Sequence, residues 1–110
     1  MGIKPIIATL TNTTAGTRTQ ATASSTYATA VYFEALGTNV GYVYVGDSTV
    51  SATKYMARLA AGQGINVNID SLSKADLGDG GELQLSTFYI DTSVSGEKCQ
   101  FTYIQRVGKN

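Results

Sequence analysis

The chain contains no histidine and no tryptophan, and only one cysteine and one proline among its 110 residues. Without histidine there is no Ser-His-Asp or Cys-His nucleophile pair, and most zinc sites are removed as well. A lone Cys99 cannot close an intrachain disulfide, so nothing marks an oxidising compartment. Charge is also sparse: 15% of residues are charged, against roughly 25% in soluble domains generally. Eight basic and eight acidic side chains cancel. A neutral surface offers no long-range attraction to nucleic-acid phosphate or to an anionic bilayer, and does little to keep copies of the protein apart. No apolar run approaches the roughly 20 residues of a membrane helix. No basic, apolar leader with a cleavage site follows Met1, so synthesis and folding in a cytoplasm are expected.

What is present is enough for one core. The hydrophobic fraction is 43%, and a domain of this length buries roughly two-thirds of its unfolded surface. We therefore expect a single domain over residues 1–110. Residues 9–29 are dominated by Thr, Ala and Ser, with Arg18 as their only charge. Thr favours pleated strands through its branched Cβ, while Ser and Asn compete locally with the helical backbone. This segment is expected to be a polar strand or an extended arm that orders on a partner. Before it, residues 3–10 form a short apolar strand, and Pro5 assigns that strand to a sheet edge or to a start just after the proline.

Strand periodicity then becomes regular. Val31, Phe33 and Ala35 alternate with Tyr32, Glu34 and Leu36, and Val43 and Val45 alternate with Tyr42 and Tyr44. Residues 65–69 alternate apolar with Asn, and Cys99, Phe101 and Tyr103 alternate with Gln100, Thr102 and Ile104. Residues 50–54 read as a modest strand and 56–61 as a single helical turn. Turns are expected at 37–39, 46–48, 62–64, 78–81 and 93–97, where glycine, Ser, Asn and Asp gather. About eight short strands without intervening helices point to an all-β, antiparallel two-sheet β-sandwich of jelly-roll type. An immunoglobulin-like sandwich is the second choice, and the missing tryptophan counts against it.

The residues that could carry chemistry are not selected into sites. Cys99 lies at an inward position of its strand and reads as a small buried thiol, with Lys98 pointing to the other face. Asp70, Asp76, Asp79 and Glu82 surround a glycine loop but lack calcium-loop spacing, so a solvated loop is expected. Glu34 with Glu97 or Asp91 could in principle oppose one another across a cleft, yet nothing singles them out. We assign no catalytic, cofactor-binding or metal-binding residue and expect no enzyme. The candidate partner contacts are Thr11, Asn12, Thr13, Thr14, Arg18 and Thr19 of the polar segment, with Tyr42 and Tyr44. The two tyrosines are either an outer aromatic stripe, since Tyr is enriched at interface cores, or the packing of one sheet face.

The run Gly41-Tyr42-Val43-Tyr44-Val45-Gly46-Asp47-Ser48-Thr49-Val50-Ser51 resembles small virion proteins of tailed bacteriophages, in which a strand ending in Tyr-Val-Gly precedes a polar Ser/Thr/Val segment. Leu59-Ala60-Ala61-Gly62 is similar to their Leu-x-Pro-Gly turn, with Ala61 in place of the proline. Leu85-Ser86-Thr87-Phe88-Tyr89-Ile90-Asp91, followed by Val94-Ser95-Gly96-Glu97 and Phe101, is similar to their closing hairpin. The likeness covers about the last two-thirds of the chain; residues 75–81 look like an insertion, and the Thr-rich third has no counterpart. It implies a capsid decoration (cement or staple) protein. Such a protein would sit on the outer capsid surface of a virion, bind the major capsid protein and itself as a dimer or trimer at a symmetry axis, and need no cofactor. A head-fibre, tail or baseplate component is the alternative. A carbohydrate-binding module comes third, lacking the stacking tryptophan such modules display.

Overall fold

In a computed structural model, residues 2–22, 26–68 and 83–107 are described. They form ten strands: β1 (Gly2–Asn12), β2 (Thr19–Gln20), β3 (Tyr27–Ala28), β4 (Ala30–Ala35), β5 (Val43–Gly46), β6 (Ala57–Leu59), β7 (Gly64–Asn68), β8 (Leu83–Gln84), β9 (Tyr89–Thr92) and β10 (Glu97–Val107). One 3-10 turn, Leu85–Thr87, is the only helical element among the described residues. Every pairing is antiparallel, and the pairs nest: β5 with β6, β4 with β7, β3 with β8, β2 with β9 and β1 with β10. Two further pairings, β10 with β4 and β9 with β5, join these hairpins sideways. The result is one four-stranded sheet in the order β1-β10-β4-β7, a second in the order β2-β9-β5-β6, and the β3-β8 ribbon. The all-β, antiparallel expectation holds.

The alternation seen in the sequence decides what is buried. In the first sheet, Ala8, Phe101, Phe33 and Ile65 lie side by side in register, and so do Leu10, Cys99 and Ala35. Their neighbours along the chain, such as Thr9, Gln100 and Tyr32, point to the opposite face. The second sheet contributes Val43, Val45, Leu59 and Ile90, and all of these belong to one apolar cluster with Val31, Phe33, Cys99 and Phe101. Phe33 is fully buried and has ring neighbours in Phe101 at 5.9 Å and Phe88 at 5.6 Å. Burying a side chain of this size stabilises by roughly 2–3 kcal/mol. Gly62 and Gly96 take φ of 83° and 85° in the turns before β7 and β10, a conformation that side chains with a Cβ resist.

Two expectations are corrected. Residues 57–59 are strand β6, not part of a helical turn, because the Met56 amide donates to the Val45 carbonyl and Leu59 pairs with Val43 in the core. Residues 50–54 are a turn closed by the Ser51–Lys54 bridge rather than a strand, and Val50 is buried there. Of the two readings of the polar segment, strand or arm, its described residues take the strand form. It completes β1, turns at 14–17, and supplies β2 and β3, with Ala21 and Ala28 in the core. Residues 1–29 together include all of β1, which pairs with β10 over its whole length. Pro5 does sit on the edge strand, as expected. The acidic glycine loop with Asp70, Asp76, Asp79 and Glu82, and Ile69 of the alternating strand, lie outside the described residues.

Candidate partner-binding surface

In β5 the valines face inward, so Tyr44 faces out from the second sheet, with Arg58 of β6 and Asp91 of β9 as its lateral neighbours. Tyr44 is nevertheless buried, because the ring of Tyr55, arriving from the loop before β6, stacks on it at 5.4 Å. Arg58 turns its guanidinium over the ring of Tyr42, 4.6 Å from the centroid. Tyr42, Tyr55 and Met56 remain 40–47% exposed. Beside this strip opens a cavity of about 400 Å³ lined by Gly46, Asp47, Lys54, Tyr55, Met56, Thr87 and Phe88. The Thr49 hydroxyl and amide both donate to Asp47 and hold its carboxyl below the usual range. What the arrangement can do chemically is bind: it offers aromatic faces, an oriented cation and a flexible thioether beside an apolar hollow.

The residues singled out from sequence fall into different roles. Thr13 and Thr14 are exposed on the loop after β1. Thr11 is exposed on β1, where its hydroxyl accepts from Lys98 Nζ at 3.3 Å. Arg18 is exposed, and its Nε donates to the Val50 carbonyl at 2.7 Å, which ties the start of β2 to the turn after β5. Asn12 and Tyr44 are buried by the chain's own side chains. Asn12 is fully buried: Nδ2 donates to Thr92 Oγ1, Thr14 O and Asp91 Oδ1, and Oδ1 accepts from the half-buried Thr19 hydroxyl. Tyr44 is covered by Tyr55, so the outer stripe consists of Tyr42, Tyr55, Met56 and Arg58. Sequence reasoning missed the last three. An exposed Tyr55-Met56 pair inside a polar stretch was the available signal.

The carboxylates are taken up by the backbone. Asp91 Oδ1 accepts from the amides of Gly16 and Thr92, both at 2.8 Å. Glu97 accepts from the amides of Val40 and Gly41 and clips the β4–β5 loop to the start of β10. Glu34 stands on the outer face of the first sheet, away from both. No group of three or more His, Cys, Asp or Glu among the described residues could hold a metal ion. Cys99 is fully buried, and desolvation pushes its thiol up from 9.0 to about 12. The chain matches no known protein family, curated protein or solved structure.

Proposed function

We propose that this protein is a structural virion component that decorates the outside of a phage capsid and clamps neighbouring major capsid subunits. The observation that carries the reading is the exposed Tyr42–Arg58–Tyr55–Met56 strip, built on a hydrogen-bonded sheet beside an apolar cavity. Tyr, Met and Arg are the residue types enriched where protein partners meet, and Tyr and Arg dominate hot spots. Stacking on Tyr42 and Tyr44 already restrains Arg58 and Tyr55, so little side-chain entropy remains to be lost on docking. The identity of the partner comes from the resemblance of residues 41–51 and 85–101 to decoration proteins.

The scaffold reading is an eight-stranded jelly roll of two facing sheets, with β3-β8 as an addition at one corner. Its support is the nested pairing. A long hairpin whose outer strands pair with each other, and so on inward to a central turn, yields a double sheet when rolled up. The single apolar cluster drawn from both sheets also supports it.

The test uses particles assembled with and without the protein. Wild type added back should occupy the shell by electron microscopy and raise the temperature at which the shell opens. Tyr55→Ala and Arg58→Glu should each lower occupancy by about tenfold or more while folding normally. Density on a head fibre, tail or baseplate would move the protein to that position. Undiminished occupancy by both variants would remove the strip as the contact.

A further inference from the structure

The longest open sheet edge among the described residues is β1, and its backbone parity can be worked out. The Lys98 carbonyl accepts from Leu36 N and Asn39 Nδ2, the Lys98 amide donates to Asn39 Oδ1, and the Ile104 carbonyl accepts from Thr29 N. The even-numbered residues of β10 therefore bond towards β4, and its odd-numbered residues, Cys99, Phe101 and Tyr103, bond towards β1. Their partners there are Leu10, Ala8 and Ile6. Pro5, Ile7, Thr9 and Thr11 consequently turn their main-chain groups to the open side. Pro5 fits this independently, because a residue without an N–H is accommodated only where no ladder bond is required of it.

Open edges are ordinarily guarded by short length, charge, proline or a bulge. The outer edges of the second sheet are short, two residues in β2 and three in β6. Strand β1 runs for eleven residues, and from Ile6 to Asn12 it has no charge, no proline and no bulge in its pairing with β10. Ile7 is 63% exposed there. We infer that β1 pairs antiparallel with β1 of a second copy of this chain, across a two-fold axis at Thr9. In that register Thr9 faces Thr9 and Ile7 faces Thr11, so each of these residues bonds through both its amide and its carbonyl. A two-fold axis at Ala8 would instead set Pro5 against Thr11 and leave a carbonyl without a donor. No like charges meet across the axis, and the two four-stranded sheets become one continuous sheet of eight.

The experiment is sedimentation of the full chain over a range of concentrations. Wild type should be a reversible dimer. Thr9→Pro removes only an outward N–H, so it should melt like wild type while its dimer weakens about a hundredfold, from loss of the two central bonds. Thr9→Lys and Thr9→Glu alone should be monomeric, and an equimolar mixture should recover a heterodimer, because residue 9 faces itself only in this register. A wild type that stays monomeric at millimolar concentration, as it would if a strand of another protein fills the edge, overturns the inference. So does a folded Thr9→Pro with undiminished dimerisation, or a Lys/Glu mixture that fails to pair.

Discussion

Replacing Asn12 with Ala should unfold this protein more readily than any change on the exposed loop beside it. Asn12 lies where the chain leaves β1 for β2, fully buried, and its side chain joins three segments. It bonds to Thr92 Oγ1 at 2.9 Å, Thr14 O at 3.1 Å, Asp91 Oδ1 at 3.3 Å and the Thr19 hydroxyl at 2.7 Å. Each neutral bond contributes about 1 kcal/mol net, and the one to a carboxylate about 2. Some of this returns as water enters or the Thr19 hydroxyl turns, so the expected loss is about 3 kcal/mol, a large share of the roughly 5–15 kcal/mol that holds a domain together. At this chain length that corresponds to a melting temperature lower by roughly 12 °C. Asn12→Asp keeps the shape but sets a second carboxylate beside Asp91. It should cost more near neutral pH, and acidification through the carboxylate range should partly relieve the loss. The assay is guanidinium denaturation with equal slopes for all variants, with the exposed Thr13→Ala as a control expected within about 0.5 kcal/mol of wild type. If Asn12→Ala lies within about 1 kcal/mol of wild type, the buried network does not hold the crossing between the sheets.

Other outcomes follow from the same structure. Folded Cys99 should resist alkylating reagents at neutral pH and react fully once the chain is denatured. Its folded thiol keeps its proton while the unfolded one loses it above 9.0, so stability should fall between that value and about 12. The loss is at most about 1.4 kcal/mol per pH unit, and Cys99→Ala should remove that part of the slope in denaturation curves. A side chain at Gly64 would collide with the Tyr32 hydroxyl and ring and approach the Phe33 carbonyl. Gly64→Ala should therefore cost about 1–3 kcal/mol, and less in a Tyr32→Ala background, where only the backbone approach remains. A chain lacking residues 1–29 should show no cooperative melting by calorimetry, because it loses the full partner of β10 and the strand beside β9.

Much of the architecture could be read from local pattern. The alternation of Val31, Phe33 and Ala35, and of Cys99, Phe101 and Tyr103, named the buried face of two strands, because successive side chains of an extended backbone point opposite ways whatever the rest of the molecule does. Pro5 pointed to an edge strand or to a strand start just after it, since a missing N–H is a property of the residue itself. Cys99 was legible as a buried thiol for the same reason of parity. The strip of Tyr42, Arg58, Tyr55 and Met56 was half legible, because the parity of Tyr44 was right while the choice between outer stripe and sheet-face packing stayed open. Whether an outward tyrosine stays exposed depends on what lands upon it, and Tyr55 does so from just beyond a turn, residues 50–54, that sequence reading took for a strand. Asn12 looked like part of a polar surface because its chain neighbours are polar. It is interior because Asp91 and Thr92, 79 and 80 positions away, are brought against it. Side-chain direction is set within a residue or two and can be read from sequence alone. Which faces meet, and what covers them, is decided by the register of strands far apart in the chain, and only the tertiary structure supplies that.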